Sequence, residues 1–332
     1  MNNRLDQMFP ALRSAAVIGA LLASATLAAA DDWPSRPVTM VVPFAAGGPA
    51  DAVGRILASH LSDVLGQEVV VENVGGGGGM LGGARVARAA PDGYQFVLGN
   101  MGTHAANQTL YKTPLYNAAS DFAPVTLVAE TPLLLLTREA FPADTLPQFV
   151  SYARANQVKM QFGSGGAGSA SHLACLLVNL AMGIKVTHVP YRGAAPAMQD
   201  LIAGRIDYQC PDSPTSVAQI EGGNVKALAV LTAERSGRLP DVPTAREQGL
   251  EVVASNWFAI FCPKGTPAGV VEKLRAAISA SMDTPSLQAR MRDIGAELPP
   301  PERRTPAYLQ TFVAGEIAKW AAPIKQSGAI IE

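Results

Sequence analysis

Short apolar runs alternate along this chain with stretches in which apolar residues recur every three or four positions. Polar or glycine-rich joints separate the two patterns. Val38–Val42 (VTMVV) reads as a buried strand, being short, β-branched and flanked by proline. From about Ala50 the period changes, and Val53, Ile56, Leu57, Leu61, Val64 and Leu65 fall on one helical face. The same change recurs downstream. Strands are predicted at Val69–Glu72, Tyr94–Leu98, Met160–Phe162, Val186–Val189 and Ile206–Gln209, each followed by a turn and a helix. The helices expected there begin near Gly82, Thr103, Ala170, Pro196 and Val217. Val125–Ala129, Leu133–Thr137, Val225–Leu231 and Val252–Phe261 are further extended runs, Leu146–Asn156 is helical, and two last helices are expected over Gly269–Met282 and Pro306–Gln326. Repeated strand–turn–helix order predicts an α/β protein with mostly parallel sheets.

The joints that follow strands carry the candidate chemistry. They are PFAAGGPAD at 43–51, GNMGTH at 99–104, GSGGAGS at 163–169, PYRG at 190–193 and CPDSPT at 210–215. Ligands of open α/β sheets bind outside the carboxyl ends of strands, so these joints can converge on one crevice. A crevice between two lobes is the architecture of a hinged binding protein.

In the first joint, Phe44 and Ala46 lead into Gly47 and Gly48, where backbone N–H groups can crowd at a helix N-terminus and receive an anion. The plainer reading is a tight βα turn. Asp51 either complements the helix dipole or holds a water that reaches the ligand. Thr103 either caps its helix or bonds a ligand oxygen. His104 has no second ligand at metal spacing, and a structural histidine bridging loops is the preferred reading.

Ser164, Gly165, Ser169 and Ser171 form a second cradle of hydroxyls and amides, with plain N-capping by Ser169 as its alternative. Ser169 and His172 do not make a hydrolase, because GSGGAGS is not the G-x-S-x-G elbow. Tyr191 is a candidate ligand contact. Arg192 is either a carboxylate clamp or, as preferred, a surface or inter-loop ion pair. Asp212, facing the cleft, would repel a second carboxylate and welcome an ammonium, a hydroxyl or water. Trp257 and Phe258 either floor the pocket or pack the hinge.

Composition narrows the setting. Arg4 and Arg13, the apolar run Ala15–Leu27 and Ala28-Ala29-Ala30 have the order of a secretory signal peptide, expected over 1–30 with cleavage after about Ala30. That run is too short for a comfortable membrane span. Net charge is −1, and near −2 without the first thirty residues, with no basic stripe. Nucleic acid and anionic membranes are therefore not expected partners. Cys175, Cys210 and Cys262 make no metal or C-x-x-C spacing. An oxidising compartment permits one bridge, but three buried thiols are the preferred reading. G-x-x-x-x-G-K-[ST] is absent, which argues against a nucleotide enzyme.

Taken in order, WPSRPVTMVVPFAAGGPAD, VVVENVGGGGGMLGG, ARAAPDGY, GTHAANQTLY, GSASHLA, THVPYRGAAPAMQDLIAGRID, LPDVPTAREQGL and SNWFAIFCPKGTP span essentially the whole chain after residue 30. In this order they resemble the solute receptors of the tripartite tricarboxylate transporter, the Bug family of periplasmic binding proteins. The resemblance implies a type II periplasmic-binding-protein fold of two α/β lobes joined by two crossover strands. Lobe 1 would comprise 31–133 plus 255–332, lobe 2 would comprise 134–254, and the ligand cleft would lie between them.

The resemblance further implies a small organic carboxylate held by loop amides, hydroxyls and water. It implies delivery of that ligand to an integral-membrane permease of one large and one small subunit by a monomeric receptor. No catalytic residue, metal or cofactor is implied. A ligand-dependent partner of a sensor kinase is the alternative function. Three positions depart from the family pattern. Ala50 stands where Ser or Thr is frequent, Val74 and five glycines replace an Arg-Pro pair, and Pro211-Asp212 replaces Asp-Asn.

Overall fold

A computed structural model describes residues 33–331. The segment expected to be the export signal lies outside these residues. Among the described residues ten strands form two five-stranded sheets. In chain order they are β1 (Val38–Val42), β2 (Val69–Asn73), β3 (Gln95–Asn100), β4 (Phe122–Pro132), β5 (Leu134–Arg138), β6 (Gln161–Ser164), β7 (Thr187–Pro190), β8 (Tyr208–Gln209), β9 (Val225–Val230) and β10 (Ser255–Pro263). The first sheet has the order β2-β1-β3-β10-β4 and the second β7-β6-β8-β5-β9.

Both sheets follow one plan. Three strands run parallel, a fourth is antiparallel to both neighbours, and the fifth resumes the first direction. Half of the pairings are thus antiparallel, although four strands of each five point the same way. The reversed strands are β5 and β10, and each is the strand that enters from the other sheet. Only Leu133 separates β4 from β5, so the first passage between sheets is nearly continuous strand.

The helices are α1 (Pro49–Leu65), α2 (Met80–Ala87), α3 (Asn107–Leu110), α4 (Leu146–Asn156), α5 (Ala170–Met182), α6 (Ala194–Ile202), α7 (Ser213–Glu221), α8 (Ala268–Met282), α9 (Pro285–Asp293) and α10 (Pro306–Ser327). Local signals set their ends. Ser169 accepts a bond from His172 N to start α5, and Gly183 stops it at φ 68°. α9 was not expected. Its only buried side chains are Leu287 and Met291, too few to show a period in a polar stretch.

Alternation along the strands divides the core. Met40, Val42, Phe96, Leu98, Phe258 and Ile260 pack under α1 and α8 on one face of the first sheet. Val41, Val97 and Phe261 turn the other way, into a cluster that continues into the second sheet through Leu133, Leu135, Phe162 and Tyr208. α10 lies across this shared cluster, burying Leu309, Val313, Trp320 and Ile324. Trp257 Nε1 donates to Glu316 Oε2 of α10 at 3.0 Å.

The expectation of three free thiols is corrected. Cys175 of α5 and Cys210 after β8 form a disulfide, with Cα atoms 5.3 Å apart, and Cys262 remains a buried thiol. Strand β8 lies beside β6, which carries the chain into α5, so 35 residues of sequence close to bonding distance. Among the described residues no helix is long and apolar enough to cross a membrane.

Candidate functional site

The first joint is held from within. Asp51, 4 % exposed, accepts from Gly47 N at 2.9 Å, from Arg55 Nε at 2.9 and 3.0 Å, and from Asn73 Nδ2 at 3.0 Å. Asn73 Nδ2 also donates to Phe44 O at 3.1 Å. Burial alone would raise the Asp51 carboxyl, but the bonds from Arg55, Gly47 and Asn73 hold it below the usual carboxylate range. Asp51 therefore shapes the turn, and it consumes the Gly47 amide in doing so.

The second joint rests on histidines. Ser164 Oγ meets His188 Nε2 at 2.6 Å and Gly166 N at 3.1 Å, and Gly168 N donates to His172 Nδ1 at 3.1 Å. The two imidazoles stack with centroids 4.2 Å apart, beside Phe162. Burial pushes His172 down to about 3 and His188 to about 4, so both are neutral at neutral pH. Ser171 Oγ accepts from Gly165 N at 3.0 Å and lies 3.2 Å from Ser169 Oγ.

Between the joints lies a small cavity lined by Phe44, Pro49, Ala50, Asn100, Gly165, Ser169, Ala170, Ser171, Ala194, Asp212 and Phe258. Its free volume is about 20 Å³, room for about one water. Four helices begin at its wall: α1 with Pro49 and Ala50, α5 with Ala170 and Ser171, α6 with Ala194, and α7 with its N-cap Asp212. Of these four, only α5 has a side-chain cap. Unsatisfied first-turn amides and the positive ends of four dipoles thus gather at one point, which favours an anion.

Two polar side chains complete the wall. Asn100 Oδ1 accepts from Thr103 N at 3.0 Å, which leaves its NH2 group as a donor at the cavity. Asp212, 3 % exposed, accepts from Thr131 Oγ1 at 2.8 Å and from Asn256 Nδ2 at 2.7 Å, both on Oδ1. Thr131 lies on β4 and Asn256 on β10, the strands at which the chain passes between the sheets. Burial raises the Asp212 carboxyl to about 6, against the pull of those two bonds and of one from its own backbone N–H.

Phe44, Gly165, Ser169, Ser171 and Asp212 of the expected site residues meet at this cavity, and Phe258 joins them. The others stand elsewhere. Ala46 and Gly47 are exposed on the outer rim, and Gly48 caps α1. Thr103 is fully buried and bonded to Asn100 and, at 2.9 Å, to His104 Nδ1. Ser164 is engaged by His188. Tyr191 donates to Asp200 at 2.7 Å, and exposed Arg192 offers only its carbonyl to Ala45 N at 3.3 Å. His104 stacks on Phe261 at 4.0 Å, inside the aromatic core. Trp257 faces α10, opposite to Phe258. Asn100 and Ala194 were not singled out in the sequence. Their only local signal is a place at the end of a strand or the start of a helix.

The GSGGAGS joint is also met by Tyr111 and by the glycine run at 75–79. Tyr111 OH donates to Ala167 O at 3.1 Å. Gly78, at φ 60°, lies so close that a Cβ there would fall 2.0 Å from Ala167 O.

Two mixed α/β sheets, exchanged strands and a cavity walled by loops of both define a two-lobed binding protein of the periplasmic type. A family model for the tripartite tricarboxylate transporter family receptor matches residues 53–329, and the chain belongs to that family. Among solved structures it is similar to MatC from Rhodopseudomonas palustris with bound malate, at 41 % identity and a TM-score of 0.86 over 88 % of this chain and 100 % of that one. The periplasmic binding protein BugD is 39 % identical, with a TM-score of 0.88 over 90 % and 100 % of the two chains. A further R. palustris protein, with adipate, is 36 % identical, with a TM-score of 0.86 over 90 % and 99 %. The family is one of solute receptors, so the Bug-type resemblance of the sequence holds.

Proposed function

We propose that this receptor captures a small organic carboxylate in the cavity between its two lobes and hands it to a membrane permease. The lobes are residues 31–133 with 255–332, and residues 134–254. Convergence of four helix N-termini on one cavity carries this reading, with α1 supplied by one lobe and α5, α6 and α7 by the other. With room for about one water, the cavity admits an organic acid only as the lobes part, and an acid then gripped by both lobes favours their closing around it. Ala50, Ala170 and Ala194 offer no side-chain donor, which leaves amides, Asn100, Ser171 and water to bind the carboxylate. Malate and adipate, bound by two of the similar proteins, are both carboxylates and support the class.

The receptor works as a monomer after export and removal of residues 1–30. Its partner is a permease of one large and one small subunit. A thermal-shift panel of mono-, di- and tricarboxylates, aromatic acids and amino acids on the mature chain tests the binding step. At a ligand concentration of about 100 times Kd, stabilisation of about 2.7 kcal/mol is expected by mass action. No shift with any organic acid, repeated by calorimetry, would refute the reading.

A further inference from the structure

We infer that Asp212 is a specificity-determining residue of this cavity, accepting a hydrogen bond from a hydroxyl or ammonium group that the ligand carries close to its carboxylate. The inference rests on the carboxylate-receptor reading and deepens it. Two bonds from protein side chains fall on Asp212 Oδ1, from Thr131 and Asn256, and Oδ2 accepts no bond from another side chain among the described residues. Asp212 also takes a bond from its own backbone N–H, and a carboxylate has about four lone-pair sites, so it keeps acceptor capacity for a group in the cavity that it lines. The remaining polar wall is of opposite character. Asn100 presents its NH2 group, and the first turns of α1, α5 and α6 present amides. A ligand that fits offers acceptors to that wall and a donor to Asp212.

Distance makes the requirement local. Asp212, Asn100 and Ser171 line the same small cavity. Acceptor and donor must therefore lie within a few atoms of each other on the ligand. A plain dicarboxylate would either leave the Asp212 carboxyl without a partner or bring a second carboxylate against it. Each is costly in a buried site. The anchoring also explains why a carboxyl can aim so narrowly. Thr131 and Asn256 come from the two strands that pass between the sheets, so Asp212 is fixed at the hinge of the clamp.

Calorimetry of the mature protein with succinate, malate and aspartate tests this, since the three acids differ at one carbon. Malate or aspartate is expected to bind at least tenfold tighter than succinate. Asp212→Asn keeps the acceptor for Thr131 and Asn256 and turns the other oxygen into a donor. That variant should gain succinate affinity and lose aspartate, bringing the ratio to within about threefold. Equal affinities in the wild type, or an unchanged ratio in a folded variant, would overturn the role of Asp212 and leave the carboxylate reading intact. If no organic acid of any kind bound, the carboxylate reading itself would fall. The wild-type comparison needs no variant, so the inference is decided even if Asp212→Asn does not fold.

Discussion

Acid stability offers a worked test, because this chain buries two imidazoles, His104 and His172, and half-buries a third, His188. His104 and His172 are held to about 3 and His188 to about 4, by burial in each case. In the unfolded chain each titrates near 6.5. A folded-state pKa depressed below the unfolded value means that the unfolded chain takes up the proton first. Stability is then lost as pH falls from about 6.5 towards about 3. Asp212 acts in the opposite sense, since its raised value of about 6 lets the folded state take a proton between about 6 and 4. Around pH 5.5 the unfolded state thus binds about two more protons than the folded one. The slope is about 2.7 kcal/mol of stability lost per pH unit.

His104→Phe should halve that slope, to about 1.4 kcal/mol per pH unit, by removing one of the three titrations. The imidazole is fully buried between Phe261, Phe122 and Tyr116, and its Nε2 has no partner, so an aromatic replacement suits the site. The assay is urea unfolding at half-unit steps from pH 5 to pH 7.5, comparing slopes rather than absolute stabilities. A wild-type stability that is flat below pH 6.5, or the same slope in the variant, would refute the reasoning. His172 and His188 hold the second glycine joint and stay neutral in the folded protein across this window, so ligand affinity should not follow the stability slope.

Gly78→Ala should weaken ligand binding at least tenfold while changing the stability of the ligand-free protein by no more than about 1–2 kcal/mol, the cost of a left-handed alanine. Its Cβ would strike Ala167 O in the arrangement described; unchanged affinity by calorimetry would contradict this. Denatured but unreduced mature protein should show one reactive thiol, Cys262, in a colorimetric thiol count, and three would contradict the disulfide. Cys175→Ala/Cys210→Ala should lower stability by about 4 kcal/mol on the loop-entropy account, read as a drop in Tm on the order of 5–10 °C.

Much of the fold is legible in the sequence because its signals are local. The period change after Val42, the Ser169 cap and the Gly183 stop each depend on a few neighbouring residues. The reversed direction of β5 and β10 is not local, and strand-like runs do not reveal it. The candidate site divides in the same way. PFAAGGPAD and GSGGAGS announce turns at helix starts, yet only the folded chain shows Asp51 taking the Gly47 amide. Asn100 reads as an ordinary turn residue until β3 is set beside the starts of α1 and α5. Cys175 and Cys210 carry no spacing signal, since their proximity comes from the pairing of β6 with β8.

The structure of the mature protein crystallised with an organic acid that stabilises it tests the central claim most directly. The carboxylate should lie between Phe44, Asn100, Ser171 and Asp212, with its oxygens about 2.7–3.1 Å from helix-start amides. An acid bound outside this cavity, for instance in the groove between Leu180, Val253 and Trp320, would contradict the account.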